Sequence, residues 1–411
     1  MHYPSTIHTA ATRFIVLLAG IILPFTIQSP AHADGARLAD NNAWLEISAA
    51  NFENNLAYLR DKVVAKNSKI CAVMKADAYG HGIELLIPSA IKANVDAVCI
   101  THNSEAKIAR DRGFTKRLIR IRIASIEEVE AALPYEVEEM GGTLAFMQAV
   151  SALGEKTGAA IKMHVNLNSA GMSRNGLDID ADLGQQEALA ITKLPKLDIV
   201  GIMTHFPDED APAIKAGLDK FLTQANWVIT QGKLDRAHIT LHCANTAATV
   251  LVPESHLDMV RVGSLLYGQQ PVGPPNLDIK PVMELKSKVA SVHHFDKGDT
   301  VGYDRTFKLV RDSQLANIPI GYSDGYNRSF SNRIQVLIGG KRFPLVGKVT
   351  MNTIMVDVTG GGVKAGDEVV LLGKQGAEEI PMSELMAASY SFYGDFFVVV
   401  GNSNPKYLKN E

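Results

Sequence analysis

The stretch Lys69-Ile-Cys-Ala-Val-Met-Lys-Ala76 decides the reading of the fold: an almost unbroken apolar run, too short for a buried helix, that ends on a single ammonium at Lys75. Residues 82–93 follow it with apolar side chains at helical spacing, so the two together read as one strand-and-crossover unit. The pattern then repeats. Further β-type runs occupy 95–100, 117–123, 137–144, 161–167, 197–205, 238–243 and 259–267, and helical spacing recurs over 104–112, 125–133, 145–156 and 211–230. Short strands alternating with helices build parallel sheets, and eight of them predict an α/β fold of the (β/α)8 barrel type. A doubly wound sheet is the competing architecture, but no Gly-x-Gly-x-x-Gly turn follows an early strand.

Past Pro271-Val272-Gly273-Pro274-Pro275 the texture changes to β-type runs separated by Gly and Asp turns, which predicts a C-terminal, mainly β domain over 276–411. The barrel is expected over 34–275, and the apolar segment 43–47 is a candidate to pair with the second domain. Residues 1–33 differ from both. Arg13 precedes an apolar run of about a dozen residues, and Ala31-His32-Ala33 places small residues at both cleavage-critical positions, so a cleavable signal peptide is expected. The run falls short of the roughly 20 residues a spanning helix needs. The mature protein is then expected to be soluble, in the periplasm of a Gram-negative source, and not bound to membrane.

With 411 residues, 46% hydrophobic and 21% charged, and a formal charge of −3, the chain is ordinary globular material with no basic stripe for nucleic acid. Its three cysteines, Cys71, Cys99 and Cys243, lie in or just after apolar runs without metal-ligand spacing. They read as buried thiols, and no metal site is expected.

Reactive groups in a barrel belong at the C-terminal ends of the strands. Lys75 ends the first run, Arg120 and Arg122 lie on the third, Asn168 and Arg174 follow the fifth, and His205 ends the sixth. Asn245 and Thr246 follow the seventh, and Arg261 lies in the eighth. Lys75, the lone charge closing an apolar strand, would have a depressed pKa if partly buried, and a desolvated lysine is an amine nucleophile toward a carbonyl. A strand-end lysine that merely reaches solvent fits the same position.

The segment Cys71-Ala-Val-Met-Lys-Ala-Asp-Ala-Tyr-Gly-His-Gly82 resembles the cofactor-lysine motif of alanine racemases. The likeness continues through Asn168-Ser-Ala-Gly-Met-Ser-Arg-Asn-Gly176, Gly201-Ile-Met-Thr-His-Phe206, His242-Cys-Ala-Asn-Thr-Ala-Ala248 and Arg261-Val-Gly-Ser-Leu-Leu-Tyr-Gly268. It extends into Val301-Gly-Tyr-Asp304, Gly321-Tyr-Ser-Asp-Gly-Tyr326 and Gly347-Lys-Val-Thr-Met-Asn352, and so covers nearly all of the chain after the signal segment.

The resemblance implies a fold-type-III pyridoxal 5'-phosphate enzyme that racemises free amino acids. Lys75 would carry the cofactor as a Schiff base and act on one face of the substrate α-carbon, while Tyr303 acts on the other; two opposed groups are needed because one proton leaves and another returns from the opposite side. In this family that tyrosine comes from the second subunit, which implies a homodimer with shared sites. Arg261 would face the pyridine nitrogen, which it cannot protonate, making the cofactor a weaker electron sink. His205 would lie against the ring. Tyr79, Thr246, Gly263, Ser264 and Tyr393 would gather around the phosphate, Asn245 would also bind the cofactor, Arg174 would meet both cofactor and substrate, and Met351 and Tyr322 the substrate.

The family often carries a carbamylated lysine seven residues before the arginine matched by Arg174. Here that position is Leu167. Another group or a bound anion must position Arg174, with Asn168 nearby; Arg120 and Arg122, two apart on one strand, either draw an anion into the gap or form structural salt bridges. Together with the export signal and Gly401-Asn-Ser-Asn-Pro405, this departure resembles the periplasmic broad-specificity branch, which accepts basic side chains and supplies D-amino acids. A strict alanine racemase is the alternative. Less favoured are a fold-type-III decarboxylase, which would want a cysteine and an aspartate near the second face, and a non-catalytic single-barrel pyridoxal-phosphate protein, which would lack the β domain.

Overall fold

In a computed structural model that describes residues 41–270, Gly273 and 276–409, the chain forms an eight-stranded parallel sheet, a ten-stranded sheet that is mostly antiparallel and a small two-stranded one. The expected signal segment lies outside the described residues. After β1 (Ala43–Ile47) and α1 (Ala49–Tyr58) come eight barrel strands: β2 (Lys69–Val73), β3 (Ala97–Ile100), β4 (Arg117–Arg120), β5 (Val137–Gly141), β6 (Ile161–Asn166), β7 (Leu197–Met203), β8 (Thr240–His242) and β9 (Met259–Val262). Each pairs in parallel with its neighbour, and β2 pairs with β9. The last seam, between β8 and β9, is closed by Asp258 N donating to Leu241 O and Arg261 N to Ala244 O. The barrel read from the sequence is therefore present.

The crossovers are α2 (Ile83–Lys92), α3 (Asn103–Asp111), α4 (Ile126–Ala132), α5 (Leu144–Thr157), α6 (Asp182–Ile191), α7 (Ala211–Gly232) and α8 (Thr246–Leu251). The starts of four of them are set by side chains that satisfy otherwise orphaned backbone N–H groups: Ser125 for α4, Thr143 for α5, Asp210 for α7 and Asn245 for α8. These caps start each helix a few residues beyond its strand, which leaves the strand-end side chains free to point into the barrel mouth.

The second domain holds β10 (Met283–Lys288), β11 (Ser291–Phe295), β12 (Thr300–Val301), β13 (Phe307–Lys308), β14 (Ser313–Ile318), β15 (Gln335–Ile338), β16 (Lys341–Val346), β17 (Ile354–Asp357), β18 (Glu368–Gln375) and β19 (Glu378–Ile380), then α9 (Met382–Ser389), α10 (Tyr393–Ser403) and β20 (Lys406–Leu408). Its large sheet runs β11-β14-β17-β16-β15-β18-β10-β1-β20. β1 pairs antiparallel with β10, Ala43 opposite Ser287, and parallel with β20. Residues before the barrel thus belong to the sheet after it, and α10 is carried back to the barrel mouth.

The cysteine reading needs correction. Cys71 and Cys99 are joined in a disulfide, with 5.9 Å between their Cα atoms, while Cys243 is free and buried. β2 and β3 are adjacent, Cys71 opposite Ala97 and Val73 opposite Cys99, and both cysteines face the barrel interior with Ile119 and Met259. That separation lies within reach of a disulfide.

Candidate functional site

A cavity of about 1020 Å³ opens at the C-terminal ends of the barrel strands, walled by strand-end residues on one side and by α10 on the other. Lys75, two residues past β2, sits in it. Burial is the main reason its pKa falls below the ordinary lysine value, and the Arg174 charge adds to the effect. A larger share of unprotonated amine at neutral pH follows, as a nucleophile or base needs.

Directly after Lys75 the backbone is left-handed: Ala76, Asp77, Ala78 and Tyr79 have φ between 53° and 55°, and Gly80 has φ 77°. Each non-glycine residue in that region costs about 1–2 kcal/mol. Tertiary bonds hold the turn. Asp77 N donates to Glu105 Oε1 at 3.1 Å, Asp77 Oδ1 accepts from Ile83 N at 2.8 Å, and the same carboxylate pairs with Lys406 at 2.9 Å. Gly80 lies so close to α10 that an added Cβ would meet Phe397 O at 2.1 Å, and a Cβ on Gly401 would meet Gly80 O at 2.2 Å. The turn swings Tyr79 back over the pocket, stacked on Tyr267 at 4.9 Å, whose hydroxyl donates to Val73 O.

Tyr79, Thr246, Gly263, Ser264 and Tyr393 meet on one wall. Gly263 N donates to Thr246 Oγ1 at 3.1 Å, and a Cβ at Gly263 would stand 2.6 Å from the Tyr79 hydroxyl. Hydroxyls and backbone N–H groups crowd around a glycine that leaves room for a bulky anion. Asn245 lines the same wall, with its side chain capping α8. With Lys75, Arg122, Arg174 and Arg261 also lining the cavity, cations outnumber the two acids there, Glu209 and Asp395. A phosphate and a carboxylate fit this charge.

Arg261 crosses the floor. Its Nη1 donates to His242 O and Nδ1, both at 2.9 Å, and its Nη2 to Thr204 O, Cys243 O and His205 Nδ1 at 3.0–3.2 Å. Burial lowers its pKa to about 10, so it stays a cation at neutral pH. Burial first, then the Arg261 charge, lowers that of His205 to about 3, which keeps the imidazole neutral. Among the described residues no protein acceptor meets the Arg261 Nε–H, so a donor is left over in the pocket. That spare donor, the cradle at Gly263 and the desolvated Lys75 fit pyridoxal phosphate at its ring nitrogen, phosphate and aldehyde ends.

The other candidates lie elsewhere. Arg122 lines the cavity, but its guanidinium is clamped to Glu128 and donates to Ile123 O. Arg120 does not reach the pocket and is corrected here to a structural residue: fully buried, it donates from Nε and Nη2 to the Glu139 carboxylate at 2.8 and 3.1 Å and from Nη1 to Thr101 O. Asn168 also lies outside the cavity lining and bonds Ser173 N through Oδ1 at 2.8 Å, bracing the loop that carries Arg174. Tyr303, Tyr322 and Met351 stand on the second domain, 67%, 43% and 54% exposed, outside the pocket of their own chain. Tyr322 and Met351 are adjacent, through Tyr322 N to Thr350 O and Ser323 N to Met351 O, each 3.0 Å.

Sequence reasoning passed over Glu209, Phe392 and Asp395 at the cavity and the buried Glu138 and His164 below it. The acidic run after His205 was a signal for the first. For the last two it was the presence of ionisable groups in otherwise apolar strands.

The profile described as alanine racemase, N-terminal domain, matches residues 47–271, and that of the C-terminal domain matches 282–406. The chain is 48% identical over 402 residues to a broad specificity amino-acid racemase of Aeromonas hydrophila, covering 97% of this chain and 98% of the relative. It is 44% identical over 369 residues to a lysine racemase of Proteus mirabilis, covering 90% of each. In fold it is similar to the alanine racemase of Bartonella henselae solved with covalently bound pyridoxal phosphate, with a TM-score of 0.77 and 24% identity over 89% of this chain and 99% of that one.

Proposed function

Because the chain belongs to the alanine racemase family and is a pyridoxal-phosphate enzyme acting on amino acids, we propose that it racemises free amino acids of broad range, basic ones included, by a two-base mechanism. The observation that carries this reading is that a desolvated Lys75 shares one cavity with the Gly263 cradle and Arg261. Lys75 would hold the cofactor through Nζ. Tyr79, Thr246, Ser264 and Tyr393, around the room left at Gly263, would hold its phosphate, and the spare Arg261 Nε–H its ring nitrogen. Bound there, the cofactor withdraws electrons from the substrate α-carbon and makes its proton removable.

Once the substrate amine had replaced it on the cofactor, the freed Lys75 Nζ would take the proton of one enantiomer from one face of that carbon, and Tyr303 of the partner subunit would return one from its hydroxyl on the other. For the opposite enantiomer the roles exchange. Support for a homodimer comes from Tyr303, Tyr322 and Met351, three exposed groups outside the lining of the cavity in their own chain. Arg174, which lines the cavity, would receive the substrate carboxylate. The relatives named as broad specificity and lysine racemases support the range of substrates, as does a cavity with Glu209 and Asp395 in its lining, able to meet a cationic side chain. Export to the periplasm is proposed from the features of residues 1–33 alone.

Chiral chromatography of L-lysine, L-arginine and L-alanine after incubation with the purified enzyme tests this. Racemisation of all three is expected, and none with Lys75→Ala. Turnover of alanine alone would support the strict alanine racemase, and an amine product a decarboxylase.

A further inference from the structure

Below Arg261 the barrel interior holds a continuous file of buried polar groups. His242 Nε2 lies 2.8 Å from His164 Nδ1, His164 Nε2 lies 2.9 Å from Glu138 Oε2, and Arg117 binds that carboxylate through Nε and Nη2 at 2.7–3.0 Å. Both histidines are fully buried. We propose that Glu138 and His164 are positioning residues for the reaction: through His242 they fix a one-way chain of hydrogen bonds that holds the Arg261 guanidinium charged and turned so that its Nε–H meets the cofactor. The proposal rests on the reading that Arg261 faces the ring nitrogen.

The direction of the chain follows from donor chemistry alone. A guanidinium cannot accept a hydrogen bond, so His242 Nδ1, 2.9 Å from Arg261 Nη1, must be bare. The single proton of a neutral His242 then sits on Nε2 and is donated to His164 Nδ1. His164 in turn carries its proton on Nε2 and donates to Glu138. Every donor points away from the pocket, and the file ends on a carboxylate whose remaining capacity Arg117 fills. Hydrogen bonds in series polarise one another, so the buried anion strengthens the acceptor that Arg261 meets two histidines away. Burial pushes the pKa of both histidines down, in keeping with neutral rings, while His164 and Arg117 keep that of Glu138 near 2 despite burial.

The sequence makes room for this file. A Cβ at Gly201 on β7 would stand 2.1 Å from His164 Nδ1, so only glycine lets the imidazole pass across that strand from β6 to β8. A barrel core of branched aliphatic side chains would fill the same space without desolvating a carboxylate, two imidazoles and two guanidinium groups. The arrangement serves orientation.

Two measurements decide it. In the apoenzyme with ¹⁵N-labelled histidine, resonances assigned through single His→Gln variants should show protonated Nε2 and bare Nδ1 in both His164 and His242. A protonated His242 Nδ1 overturns the proposal, whatever the cofactor does. In the holoenzyme, Glu138→Gln and His164→Leu should shift the absorbance band of the bound cofactor and lower kcat at least tenfold with KM nearly unchanged. His164→Gln can accept from His242 and donate to Glu138, so it should recover both. A purely structural file predicts the reverse: losses that follow the melting temperature, with the band in place. Should Arg261→Ala leave the wild-type band unmoved, the assignment of Arg261 to the ring nitrogen fails, while the histidine resonances still report on the chain itself.

Discussion

Replacing Arg120 by methionine separates a structural arginine from a substrate-binding one. Arg120 is fully buried, and its guanidinium satisfies both Glu139 oxygens and Thr101 O. Methionine roughly keeps the stem volume but leaves the Glu139 carboxylate, 1% exposed, without its counter-charge. Removing one partner of such a pair costs about 3–5 kcal/mol, most of it from the stranded charge. For a chain of this length that amounts to a fall in Tm of roughly 6–10 °C, at about 2 °C per kcal/mol. Burial already pushes the Glu139 pKa up, so the stranded carboxyl should take up a proton near neutral pH and recover part of the loss. The double variant Arg120→Met/Glu139→Leu removes the charge as well and should return to within about 1–2 kcal/mol of wild type. Differential scanning calorimetry of the holoenzyme and lysine racemisation, measured on the same samples, are the assay. If Arg120→Met melts like wild type and loses activity toward basic substrates, Arg120 works in the site and its structural assignment is wrong.

The disulfide should hide two of the three cysteines: thiol labelling in denaturant should find only Cys243, and all three after reduction. Closing a loop of 28 residues should add about 3–4 kcal/mol of stability, lost on reduction, and an unchanged urea midpoint would refute this. Gly263→Ala puts a Cβ 2.6 Å from the Tyr79 hydroxyl, so affinity for pyridoxal phosphate, followed by fluorescence titration of the apoenzyme, should fall at least about tenfold, or 1.4 kcal/mol, with the fold intact by circular dichroism. Burial lowers the pKa of His205 to about 3 and of His81 to about 4, against 6.5 in the unfolded chain. Groups with depressed folded values stabilise fully above the unfolded value, so the urea midpoint should hold near pH 8 and fall from about pH 6.5 toward pH 4; a flat profile would count against two buried neutral rings.

Strand positions were legible because a barrel strand is largely apolar on both faces, and that pattern survives in the sequence except at β5, where Glu138 and Glu139 interrupt it. Residues whose role depends on register were not. Arg120 and Arg122 share a face only if the strand continues, but β4 ends at Arg120, and each arginine finds its own carboxylate, Glu139 on the next strand and Glu128 in the next helix. Whether Cys71 and Cys99 come within bonding distance depends on the stagger between β2 and β3, which apolar periodicity does not encode. Tyr303 marks a different limit. Its position, exposed and outside its own pocket, gives one chain no reason to use it, and only the likeness of Val301-Gly-Tyr-Asp304 to a family motif pointed to it.

The turn after Lys75 shows why local rules fail where the chemistry sits. Apart from Asp77, nothing in Ala76-Asp-Ala-Tyr79 tolerates positive φ well, and the other three residues carry on the order of 3–6 kcal/mol of conformational cost. A right-handed continuation would avoid that cost, and local preference alone selects it. The observed turn persists because what holds it comes from distant parts of the chain: Glu105 from α3, Lys406 from β20 and the backbone of α10 against Gly80. Two of these three belong to the second domain, so the strand that pairs with β1 and the helix that supplies Tyr393 also fix the backbone beside Lys75. The second domain is therefore part of the scaffold of the proposed site within one chain, and a barrel cut off from it would lose the left-handed turn along with the α10 wall of the pocket.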